Sequence, residues 1–173
     1  MERKLRRIIT GHNEKGKSIV AYDGPPVRFG GLFEMWVTNN SPADNTHEND
    51  AANRELRLEP PSNGSVFRFF QVNPEDPSIS TEELEQLTAK SYATMGATHC
   101  RPDTSRSPHM HKTKTVDYII LLEGEITLLL DEDEVDLKPF DVVIQRGTNH
   151  AWINKSSKPA LLVAVLIDAE PIY

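Results

Sequence analysis

The residues best suited to chemistry are three histidines and one aspartate, carried by two short segments. Ser107-Pro-His109-Met-His111 places two imidazoles on alternate positions. In an extended strand alternate side chains share a face, with Cα atoms roughly 7 Å apart, so such a pair can converge on one cation. Asp117 follows at the start of the apolar run Val116 to Leu122 and can add a hard oxygen ligand. The second segment, Gly147-Thr-Asn-His150-Ala-Trp152-Ile-Asn154, supplies a third imidazole just after a glycine that lets the chain reverse. Three imidazoles and a carboxylate around one divalent ion leave positions open for water or a substrate oxygen. The alternative is a polar barrel interior filled by histidines without metal.

Those segments have to be brought together by strands. Short β-branched and aromatic runs recur between turn-forming clusters: 6–10, 18–22, 32–38 and 65–70, then more densely 116–122, 125–130, 134–137, 141–144 and 160–167. This pattern predicts an all-β sandwich or jelly-roll barrel. If the strands between the two segments fold as hairpins, His150 returns to the face held by His109 and His111. A helix is predicted over 80–91, opened by the capping box Ser80-Thr-Glu-Glu83, with Leu84 and Leu87 on one face against the barrel or a partner chain. The polar stretch 39–64 reads as a mobile loop, either an insertion or a lid over a pocket.

Composition narrows the function classes. A net charge of -7 makes nucleic acid and anionic membrane surfaces poor partners. A single cysteine, Cys100, excludes an internal disulfide and reads as a free thiol in a loop of a protein from a reducing compartment. The longest apolar stretch, Ala160 to Ile167, falls far short of the roughly 20 residues of a spanning helix, and the amino-terminal residues do not form a signal peptide. A cytoplasmic protein is expected.

The two histidine segments resemble the cupin family. Its first motif, G-x5-H-x-H-x3-4-E-x6-G, is similar to His109-x-His111 followed by Asp117-x6-Gly124. Its second, G-x5-P-x-G-x2-H-x3-N, is matched at its end by Gly147-x2-His150-x3-Asn154. Aspartate replaces the family's glutamate and comes after a longer gap, so Asp117 is either a ligand or an orienting group. The first motif's opening glycine is missing, Gln145 takes the second motif's proline position, and Phe140 stands where many relatives have Pro-Gly-Asp. The resemblance implies a cupin jelly-roll β-barrel with extra amino-terminal strands and one or two short helices. It also implies one domain over 1–173: strands and loop to 75, a helical connection over 76–98, and the motif-bearing core over 99–170. Stretches such as Arg6-Arg-Ile-Ile-Thr-Gly-His12 extend the resemblance to single-domain cupins of fungal secondary-metabolite clusters.

What the resemblance implies for function is a metal-dependent enzyme acting on a small oxygenated or carboxylated metabolite. His109, His111, His150 and Asp117 would hold zinc, manganese or iron, with Asp117 as the catalytic residue and Arg68 and Trp152 as substrate-binding candidates. Decarboxylation or enolisation is one outcome, iron- and dioxygen-dependent oxidation a second, and non-catalytic binding of a small molecule a third. A homodimer is implied as well. His12, His47 and His99 read as solvated or structural, Asp131 to Glu134 as a solvated hairpin turn, and Arg68 as either edge-exposed or pointing inward.

Overall fold

The computed structural model describes residues 4–46 and 49–171. Eleven strands, one α-helix and one 3-10 turn make up its regular elements. A hairpin of β1 (Arg7–His12) and β2 (Ser18–Gly24) forms a separate two-stranded sheet. A six-stranded sheet runs in the order β3 (Val27–Phe29), β4 (Leu32–Thr38), β5 (Ser65–Val72), β11 (Ala160–Asp168), β6 (Thr115–Glu123), β9 (Val142–Gln145). A three-stranded sheet, β10 (His150–Ile153), β7 (Ile126–Leu130), β8 (Glu134–Leu137), faces it. All named pairings are antiparallel. This is the all-β jelly roll that the alternating runs predict.

The two sheets close over one apolar core because their inward positions are aliphatic. Val37, Val66, Leu121, Leu128, Leu162 and Ala164 are all buried in a single cluster. Alternation is clearest in β6, where Thr115, Asp117, Ile119 and Leu121 are buried while Tyr118 is exposed. That parity carries Asp117 inward along with the core residues. The chain leaves the six-stranded sheet through Gly124, whose φ of +84° and closeness to Ala160 leave no room for a side chain.

α1 (Thr81–Thr94) is capped as the sequence predicts, the Ser80 side chain accepting from the Glu83 N–H at 3.2 Å. The helix runs further than predicted, and only Thr88 of it is buried. Leu84 lines a cavity, but Leu87 is exposed, so the two leucines do not share a buried face. The described residues of 39–64 form no regular elements but are tied down. Arg7 pairs with Asp50, Ala52 is fully buried, and Leu56 and Leu58 pack on Met95 and Cys100. Cys100 therefore differs from its predicted loop setting: it is a buried free thiol in the 3-10 turn Thr98–Cys100. His12 is exposed at the end of β1, and His47 lies outside the described residues. Among the described residues no helix is long and apolar enough to cross a membrane.

Candidate metal centre

His111 and His150 come from distant points in the chain and are joined backbone to backbone. Each N–H donates to the other's carbonyl at 2.8 Å, in an isolated antiparallel bridge beside β10. Their rings lie 4.2 Å apart between centroids. Gly147, with a φ of +60°, makes the turn that sends the chain into β10, and a Cβ there would stand 3.1 Å from the Thr113 carbonyl. Gln145, in the family's proline position, is buried and closes the same turn by donating to the Thr148 carbonyl and hydroxyl.

Backbone carbonyls also set which nitrogen each imidazole presents. Nδ1 of His111 lies 3.0 Å from the His109 carbonyl, and Nδ1 of His150 lies 3.0 Å from the Thr148 carbonyl. A carbonyl only accepts, so Nδ1 carries the proton and Nε2 keeps its lone pair, as metal-ligating histidines require. Burial holds both rings neutral. The His150 imidazole is pushed down to about 4, and that of His111 well below its ordinary value, with the nearby His150 ring adding to the effect.

His109 departs from the strand geometry that the sequence predicts. Met110 N–H donates to the Ser107 carbonyl at 3.0 Å, which makes a turn of 107–110, and Pro108 within it cannot donate to a strand ladder. His109 still lines the same cavity as His111 and His150, with Nδ1 3.5 Å from the Thr88 hydroxyl of α1. The three imidazoles are not drawn tightly together. Among the described residues, the group of three whose donor atoms all lie within 4.8 Å of one another is Glu59, His99 and Cys100.

Asp117 faces the cavity at 4% exposure, and its Oδ1 is buried with no hydrogen-bond partner. Burial pushes its carboxyl up to about 6, against the opposing pull of the Thr115 hydroxyl and the Arg68 charge. An unpartnered buried carboxylate oxygen and imidazoles with free Nε2 atoms, lining one cavity, are donor types that suit a divalent cation.

Arg68 points inward and is 2% exposed, which settles its two sequence readings in favour of the interior. It does not stand as a free cation. Its guanidinium donates to the Arg57 carbonyl at 2.8 Å and lies 2.9 Å from Glu34 Oε1, directly across the β4–β5 register. Both Glu34 oxygens are buried without an aligned hydrogen bond, so this contact is ionic, and burial raises the Glu34 carboxyl above its ordinary value. Sequence reasoning missed Glu34. It also missed Tyr92 of α1, whose ring sits 5.3 Å from that of His111.

Trp152 lines the cavity with its ring edge-on to His150 at 5.7 Å and tilted against Phe70 at 6.1 Å. Asn154, which ends the second motif, is a structural staple. Its amide donates to the Val72 and Lys158 carbonyls, each at 2.9 Å, and its oxygen accepts from Ser156. Asp131 to Asp133 form the exposed β7–β8 turn, and Glu134, also exposed, opens β8. The cavity holds about 880 Å³. Much of its lining is apolar, including Leu32, Leu58, Val72, Ile79 and Leu84, and Arg68, Glu75, Asp76 and Lys155 line it as well. A volume of that size accepts a drug-sized molecule.

Comparison with known proteins places this geometry in context. A family model described as the cupin domain matches residues 98–166. Phomopsin biosynthesis cluster protein C' of Diaporthe leptostromiformis is 32% identical over 184 residues, covering 98% of this chain and 82% of that protein. A cupin-domain-containing oxidoreductase of Hypocrea virens is 28% identical, covering 98% of this chain and 79% of its own. Another from Neurospora crassa is 26% identical, with 98% and 78% covered.

Proposed function

Because the chain belongs to the cupin family, we propose that it is a metal-dependent enzyme acting on a small, largely apolar metabolite that carries a carboxylate, enol or hydroxyl oxygen at one end. The carrying observation is the His111–His150 pair, each Nδ1–H committed to a carbonyl and each Nε2 left free, in a cavity that the unpartnered Oδ1 of Asp117 also lines. His111, His150 and His109 would hold the ion, His109 by turning about its side-chain torsions away from Thr88. Asp117 would ligate it or orient what does. When bound, the cation would supply Lewis-acid stabilisation of negative charge developing on the substrate oxygen during decarboxylation or enolisation.

The chain's own residues do the rest. The apolar wall excludes water from the reacting end and takes up the body of the substrate. Trp152 stands beside His150 and Tyr92 beside His111, each offering an aromatic contact to a bound substrate. With Glu34 balancing its charge, Arg68 offers a polar contact without making the cavity strongly cationic, which favours a substrate with at most one negative group. A dioxygen-dependent oxidation is the second reading, favoured by the oxidoreductase names of the Hypocrea virens and Neurospora crassa relatives.

The test is elemental analysis followed by assays of protein stripped and reloaded with zinc, manganese or iron. His150→Ala is expected to lower metal content by one equivalent, and equal content in both proteins would refute the histidine site. Turnover of candidate acids that persists without dioxygen supports the lyase reading. Loss of turnover under anaerobic conditions supports the oxidase reading.

A further inference from the structure

A second group of ligand-type side chains lies outside the cavity. His99 Nε2 is 2.8 Å from Glu59 Oε2 and 3.5 Å from Cys100 Sγ, and the three donor atoms all lie within 4.8 Å of one another. For a tetrahedral ion with bonds of about 2.0–2.3 Å, neighbouring ligand atoms stand roughly 3.3–3.6 Å apart, so this triangle is close to the size a single ion needs.

The triangle is fixed by the backbone around it. Lys112 N–H donates to the Cys100 carbonyl at 2.7 Å, and Cys100 N–H to the Ala97 carbonyl at 2.9 Å. Lys114 N–H holds Glu59 Oε1 at 2.9 Å, which turns Oε2 toward His99. Glu59 and His99 also line a hollow of about 360 Å³ that shares no residue with the larger cavity. A fourth ligand, water or a small anion, can enter from there.

From this we infer that Glu59, His99 and Cys100 form a second cation site, selective for a borderline-soft divalent transition ion such as zinc, with one position open to the hollow. One carboxylate, one imidazole and one thiolate are the donor types such an ion prefers, whereas magnesium and calcium take oxygen ligands. On binding, the Cys100 thiol gives its proton to solvent and the His99 proton moves to Nδ1, leaving sulfur, Nε2 and Oε2 as the three ligands.

Sulfur separates this site from the histidine centre, which has none. Cobalt(II) titrated into the whole protein is expected to produce a thiolate-to-cobalt charge-transfer band in the near ultraviolet. His150→Ala should keep that band and lose one equivalent of metal. His99→Ala should abolish it, and because the His99 side chain is 57% exposed this change is not expected to disturb the fold. Cobalt uptake by wild-type protein without the band would overturn the inference, as would a band that survives His99→Ala.

Discussion

At the scale of single residues, the Glu34–Arg68 pair is the most exposed to disruption, because neither side chain has access to water. Removing one partner of a buried ion pair leaves the other charge uncompensated and costs about 3–5 kcal/mol. Glu34→Gln is therefore expected to lower unfolding free energy by that amount in urea denaturation. A loss under about 1 kcal/mol would mean that Arg68 finds another counter-charge, Asp117 being the other acid that acts on it. Arg68 read as either edge-exposed or inward, and only its burial alongside Val66 decides for the interior. Glu34 was not legible, because the register shifts between Glu34 and Trp36 and breaks the alternation that would have marked it. The histidines were legible by type and spacing. The carbonyls of His109 and Thr148 that select their tautomers were not, since a backbone acceptor leaves no mark in the sequence.

At the scale of elements, the turn between β8 and β9 carries a residue ill-suited to its backbone. Phe140 has a φ of +75° and is 77% exposed, with its N–H donating to the Leu121 carbonyl at 2.7 Å. A left-handed conformation costs a side-chain-bearing residue about 1–2 kcal/mol, and glycine's extra freedom in the unfolded chain takes back about 0.5–1 kcal/mol. Phe140→Gly is thus expected to raise stability by up to about 1 kcal/mol, read as a higher thermal midpoint. A lower midpoint would show that the ring packs on something outside this chain. The strands themselves were largely legible from β-branched runs, with β4 and β8 matched end to end. Short β3 has too few residues to show a period, and the His109 turn was hidden because alternation of His, Met and His imitates a strand.

At the scale of the whole molecule, exposed apolar side chains among the described residues gather on two elements. Ile8, Ile19, Val20 and Tyr22 are exposed on the β1–β2 hairpin, and Tyr118, Val142 and Ile144 on the β6–β9 edge. Single chains seldom leave such clusters in water, so a homodimer is expected. Light scattering should give twice the chain mass, and a monomer at every concentration would contradict it. The family match over 98–166 covers the strands around the histidines, while β3, β4 and β5 complete the six-stranded sheet from outside that span. The bridge between His111 and His150 closes a stretch of chain that contains β6, β7, β8 and β9. Such a closure is a long-range event that follows the local hairpins in time. The two imidazoles meet only when that stretch has folded back, so a cation offered to the unfolded chain would find them far apart. Under the proposed metal site, capture at this pair would report that closure, and chelators are expected to leave the earlier hairpins unaltered.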